Sequence, residues 1–372
     1  MRPPTISLPG SADILVLTSP AFDARRPRIL HKELIPPAVL DTMEWAWNTP
    51  RFPERAVRVV RLSDVWVAKE GLVFDRDGHL YRETVTQHSD AEVEQAHAAV
   101  LAAIGQGAAW GGPDTGGPVL LCKKRGIGNY GHWMMEMLPK AWLVERHLPG
   151  LGVRFLVADV PGQLRETMAF SLGMLGIDLA RTLVADDAPR HFAELVVVDG
   201  LTEHGCYMSP LAVDCIDALA ASDLVGRAAP PDQPATGQPA TDRLFVTRRA
   251  MGFRRVVDED ALLLHARTRG FAEVEPGALR LPDQIARFRG AARIVGVMGA
   301  AMTNIVFAPP GARVVMLTPA GMPDTFFWFL SALRGLDYTE IRCAPSGPVR
   351  GNMLWDTDLV LPPDRWDALF AD

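Results

Sequence analysis

The chain alternates short, almost wholly apolar runs with stretches of helical periodicity, most clearly over residues 293–318, RIVGVMGAAMTNIVFAPPGARVVMLT. Residues 294–297 and 312–317 show almost no polar alternation, which is the pattern of parallel strands covered on both faces. Between them a Gly299-Ala300 turn opens a short helix over residues 301–306, and Pro309-Pro310-Gly311 stops it. The spacing predicts a βαβ unit of a doubly wound sheet. Its turn falls where a strand's carboxyl end meets a helix N-terminus, the place where such sheets hold anions. A plain connection with glycine chosen for backbone shape fits the same letters.

The same reading extends along the chain. Strands are expected at 243–247, 271–275 and 338–343, with helices from about residue 258, from residue 282 and over 324–333. Upstream come a strand at 118–123 and a helical stretch that Pro139 splits into two short pieces. A strand at 153–158, a helix at 163–175, short strands near 182–185 and 195–198 and a helix at 211–224 follow. Before these lie β-like pieces over 56–83 and an amphipathic helix over 90–104. The expected organisation is α/β: a β-rich region with one helix at 1–117, a Rossmann-like half at 118–225, a proline-rich linker at 226–241 and a second Rossmann-like half at 242–372 with a C-terminal tail. A crevice between the halves is the expected ligand site.

Composition narrows the function classes. A chain of 372 residues exceeds one typical core, which supports two bodies. Apolar content of 48% against 22% charged residues is that of a globular protein, and a net charge of −6 argues against wholesale binding to nucleic acid. No uninterrupted apolar window reaches membrane-helix length, and the N-terminus has no clear cleavage site. Cys122, Cys206, Cys215 and Cys343 are widely spaced in apolar surroundings, as buried free thiols of a cytoplasmic protein would be.

Candidate chemistry sits in four places. Asp75-x-Asp77 could chelate a divalent ion, but Gly78 makes a hairpin turn the better reading. Gly126-x-Gly128-x-x-Gly131, with Asp159 after the next strand, has the dinucleotide spacing. Against it, Lys124 and Arg125 intrude before the first glycine, and bulky His132 and Trp133 follow the third. His132 and Glu136, at i and i+4, share a helix face and provide the materials of a general base, or else a structural histidine beside a surface glutamate. Arg248, Arg249, Arg254 and Arg255 follow a strand's carboxyl end and can fork onto phosphate, or else form a solvated loop paired with Asp258, Glu259 and Asp260.

In this order, the motifs resemble glycosyltransferase family 61 over residues 120–319. The family's Asn-Tyr-x-His-Trp-x-x-Glu-x-Leu-Pro pattern is matched by Asn129, Tyr130, His132, Trp133, Glu136, Leu138 and Pro139. Thr247-Arg248, Arg254-Arg255, Asp258-Glu259, Gly270-Phe271 and Asp283-Gln284 follow in register. Then come Gly299, Ala300, Thr303, Asn304, Phe307, Pro309, Pro310 and Gly311. Met298 replaces the histidine expected before Gly299, and methionine neither holds a charge nor donates a hydrogen bond.

The resemblance implies a GT-B arrangement and a metal-independent, inverting transferase of the kind that builds bacterial capsular polysaccharide. It implies His132 and Glu136 as catalytic residues, and Arg248, Arg254, Gly299, Ala300, Thr303 and Asn304 at the nucleotide-sugar. No cofactor is expected to be permanently bound. The expected donor is a nucleotide-diphosphate sugar, with uridine diphosphate foremost, and the acceptor is a glycan or lipid-linked glycan met at a membrane surface. The departure at Met298 motivates an alternative, a non-catalytic glycan-assembly subunit that keeps the nucleotide site. A dinucleotide-dependent enzyme is the third reading.

Overall fold

The structure, a computed structural model, describes residues 2–106, 117–226, 241–249, 251–351 and 353–370. It is mixed α/β and divides into two compact units, residues 1–21 with 53–219 and residues 22–52 with 220–372. The expected linker at 226–241 lies, over 227–240, outside the described residues.

The first unit is built on β1 (Arg55–Ala68), β2 (Val119–Cys122), β3 (Arg154–Ala158), β4 (Thr182–Ala185) and β5 (Arg190–Asp199). Strands β2, β3 and β4 are parallel neighbours, and β5 meets β2 at Leu195↔Val119 and Val196↔Leu120. Along its whole length β5 pairs antiparallel with β1, from Arg190↔Val67 to Asp199↔Arg58. The strands expected to form a β-rich N-terminal region therefore share a sheet with the parallel strands, and Val60, Val65, Leu121, Leu156 and Leu195 fill one core. Asp75 and Gly78 form the hairpin turn between Leu72–Phe74 and Leu80–Tyr81: Asp75 Oδ1 accepts from the amides of Asp77 and His79, and Gly78 has φ +84.

The second unit carries β6 (Arg243–Val246), β7 (Ala272–Val274), β8 (Arg293–Val297), β9 (Arg313–Pro319) and β10 (Asp337–Ser346), all parallel in the order β7-β6-β8-β9-β10. The chain therefore leaves β6 and β8 in opposite directions. In β9 every residue after Arg313 is buried, as expected of a strand covered on both faces. The segment after β8 is a 3₁₀-helix, Ala300–Phe307, where periodicity alone could not separate 3₁₀ from α over so short a run.

Residues 22–52, from which the sequence reading drew no element, belong to this unit. Arg28–Leu30 adds a parallel strand to β10. The helix Pro37–Trp47 buries Met43, Ala46 and Trp47, and Phe52 lies 5.1 Å from Phe329, ring to ring. The pairing is invisible in sequence because its partners are at opposite ends of the chain.

Candidate functional site

Two groups of candidate residues come together, one in each unit. In the first, Asn129 caps a single helical turn, Tyr130–His132, by accepting from the Gly131 amide at 2.8 Å. A π-helical turn, Trp133–Met137, follows, and the α-helix Leu138–His147 starts with Pro139 in its first turn. The expected break at Pro139 is thus a π-turn, closed by Leu138 N–H on the Trp133 carbonyl, after which the missing amide of proline costs nothing. Trp133 anchors the turn by donating to Ser171 Oγ at 2.9 Å in the core.

This backbone holds His132 Nδ1 2.7 Å from Glu136 Oε1. Two residues that the sequence reading did not assign to the site complete the group. His204, in the turn between the short strands Thr202–Glu203 and Tyr207–Met208, places Nδ1 2.9 Å from the same Glu136 oxygen. Lys124 donates to Glu136 Oε2 and to Gln87 Oε1 at 3.0 Å, with His132 Nδ1 3.2 Å away. Glu136 is buried, yet its three partners hold it well below the usual carboxylate range. Burial pushes the His132 imidazole down, with the hydrogen bond to Glu136 opposing. Glu136 is therefore ionised and His132 neutral near pH 7.

The Gly126–Gly131 loop does not present an open phosphate cradle. Gly126, at φ +77, lies under His132, whose Nε2 would be 3.1 Å from an added Cβ, and Asp159 is ion-paired with Arg165. The carboxylate of Asp75 is likewise engaged, with Oδ2 2.8 Å from His79 Nδ1.

In the second unit, Arg248 follows β6 and Gly299 follows β8, the two strands from which the chain departs in opposite directions. The guanidinium of Arg248 lies against Gly299 so closely that a Cβ there would be 1.8 Å from Nη1. Glycine is required for that approach, not for its backbone angle. Arg248 and Arg254 flank the Phe253 ring at 5.3 and 5.2 Å, and Arg254 Nη1 donates to the Met298 carbonyl at 3.4 Å. Arg254 Nε lies 3.1 Å from Asp356 Oδ1, whereas Arg248 has no carboxylate within ion-pairing distance among the described residues. Burial, with Arg254 nearby, pushes Arg248 down to about 10. Arg249 instead pairs with Asp260 at 2.5 Å, as the solvated-loop reading expects, whereas Arg255 pairs at 3.2 Å with Asp358, a residue outside that reading.

The 3₁₀ ladder starts with Met302 N–H on the Gly299 carbonyl, which leaves the Ala300 and Ala301 amides outside it. Asn304 is structural in its contacts, donating to Gln284 Oε1 at 2.9 Å and to the Ala301 carbonyl at 3.0 Å. Thr303 Oγ1 and Thr247 Oγ1 are buried without a hydrogen-bond partner among the described residues. Met298 is fully buried, so its turn offers backbone where the motif's histidine would offer a side chain. All four cysteines are free, with Cys206 exposed rather than buried as expected. No helix among the described residues is long and apolar enough to cross a membrane.

Residues 130–315 match the family model described as Glycosyltransferase 61. No curated protein matches the chain.

Proposed function

The chain belongs to the glycosyltransferase 61 family, and from that membership we propose a metal-independent, inverting transferase that moves a sugar from a nucleotide-diphosphate donor to a glycan acceptor. The observation that carries this reading is the buried His132–Glu136 contact at 2.7 Å. The Nε2 atom of a neutral His132 takes the proton of the acceptor hydroxyl, and Glu136 orients the ring and stabilises the imidazolium as the hydroxyl oxygen attacks the anomeric carbon. The second unit holds the leaving diphosphate. The cations of Arg248 and Arg254, with the Ala300 and Ala301 amides at the start of the 3₁₀-helix, meet the charge that develops as the glycosidic bond breaks. Arg254, at the Met298 carbonyl, stands in for the motif's missing histidine. The buried hydroxyls of Thr247 and Thr303, without a partner among the described residues, are further candidates for donor contact.

A GT-B arrangement of two Rossmann-like halves is part of the proposal, with the donor on the second unit and the acceptor, lipid-linked or free, on the first. The test is a panel of nucleotide-sugars scored by thermal shift and by transfer. Stabilisation by one nucleotide diphosphate together with transfer from its sugar upholds the reading. Stabilisation without turnover across acceptors favours the second reading, a glycan-assembly subunit, for which buried Met298 is the supporting observation. Stabilisation by NAD alone would overturn both.

A further inference from the structure

Lys124 lies outside residues 130–315, yet its side chain is only 4% exposed and reaches both Glu136 and His132. An ammonium can only donate hydrogen bonds. Two of its hydrogens go to Gln87 Oε1 at 3.0 Å and to Glu136 Oε2, and the nitrogen stands 3.2 Å from His132 Nδ1. Gln87 reaches it from a left-handed backbone, φ 59, a conformation that glutamine adopts at a cost. His132 Nδ1 faces the ionised Glu136 Oε1 at 2.7 Å, and two lone pairs cannot face each other at that distance. Nδ1 therefore carries the hydrogen, and the ring's lone pair is on Nε2.

Charge accounting gives the lysine its role. His132, Glu136 and His204 are close enough together to hold a cation, and the Lys124 ammonium already supplies that charge through the second oxygen of Glu136. Without it, a buried carboxylate between two imidazoles would be unpaired and would draw a proton onto one of them. We infer that Lys124 is a positioning residue that neutralises Glu136 and so keeps His132 an uncharged imidazole with Nε2 open to the acceptor hydroxyl. The groups facing His132 are Lys124, Glu136 and His204, and Glu70 and Arg125 act on Lys124 from beyond. Lys124 opposes protonation of His132, in the same direction as burial.

The inference rests on His132 being the base, so its test reads the imidazole directly. The His132 ring is titrated by NMR in the wild type, Lys124→Met, Lys124→Arg and Glu136→Gln, and kcat/KM is followed against pH in each. Lys124→Met removes a cation, so the His132 pKa should rise by about one unit or more, and the acid limb of kcat/KM should rise with it. At the old midpoint a one-unit rise is about a fivefold loss, approaching tenfold at lower pH and recovered at higher pH. Glu136→Gln removes the anion and leaves the cation, so the pKa should fall, whereas Lys124→Arg should leave it close to wild type. An unmoved imidazole in folded Lys124→Met overturns the inference. If that variant does not fold, failure of the pKa to fall in Glu136→Gln overturns it equally. Opposite imidazole shifts without any movement of the rate profile uphold the role of Lys124 and overturn the assignment of His132 as base.

Discussion

The two clusters differ in how their charge is balanced. In the first unit, Glu136 is enclosed by Lys124, His132 and His204, so the ion pair is complete within the protein. In the second, Arg248 and Arg254 are both largely buried, and among the described residues only Asp356 pairs with either of them. A closed network fixes a protonation state, whereas an open pair of cations has unspent affinity for an anion. That contrast supports the proposed roles, proton transfer at the first cluster and a diphosphate at the second, from charge alone.

The sharpest way to break this contrast is His132→Ala. It should reduce kcat by roughly 100-fold to 10,000-fold while leaving nucleotide affinity nearly unchanged in calorimetric titration. Full activity in this variant would remove the first cluster from the chemistry. Arg248→Ala should do the converse, weakening nucleotide diphosphate binding by about 1.5–3 kcal/mol, the range for a charge-assisted hydrogen bond. A loss of kcat without a loss of affinity would erase the distinction between the clusters.

Gly299→Ala should weaken the same binding by about tenfold, or about 1.4 kcal/mol, because the new methyl displaces the Arg248 guanidinium from its seat. Unchanged affinity would mean that the seat does not matter. Arg313→Ala should change affinity least, by less than about twofold. Arg313 starts β9, at the opposite end of the sheet from the Gly299 turn, and lies 4.0 Å from Asp337. Equal losses at Arg248 and Arg313 would place the donor at the wrong edge.

The units should also differ in acid, with a smaller effect. In the first unit, burial pushes His88 down to about 4, and its Nδ1 accepts from the Thr86 amide at 3.2 Å, a bond that protonation destroys. The unfolded histidine titrates near 6.5, so the unfolded chain binds more protons below that pH, and stability is lost as pH falls from about 6.5 towards 4. Hydrogen exchange at pH 7.5 and 5 should show the helix Asp90–Gly105 losing protection, with a smaller change in β8 and β9. Equal changes would reject the assignment.

The second cluster was more legible in the sequence than the first, for a physical reason. Apolar runs mark buried parallel strands, and the residues just after them must lie at strand ends, so Arg248 and Gly299 could be placed from local pattern alone. His132 and Glu136 are likewise one helical turn apart. His204 is 68 residues from Glu136, and no period links the two. Lys124 was visible only as an intrusion into a glycine pattern, because its role depends on being enclosed. Phe253 and Asp356 join the arginines through loop geometry, which alternation does not encode.

The strand Arg28–Leu30 has a consequence for biosynthesis. Its partner residues, Thr339 to Ile341, leave the ribosome roughly 300 residues later, which at ordinary rates of synthesis means tens of seconds. Throughout that interval β10 does not exist, Phe52 lacks Trp328 and Phe329, and the Trp47 ring lacks Arg342. The nascent chain must therefore carry an unpaired strand and a greasy patch past the completion of the first unit's sheet, the state in which a holding chaperone has most to offer. For the same reason, a fragment starting at residue 220 omits an edge of its own sheet, and a split into two expressible pieces would need residues 22–52 grafted onto the second.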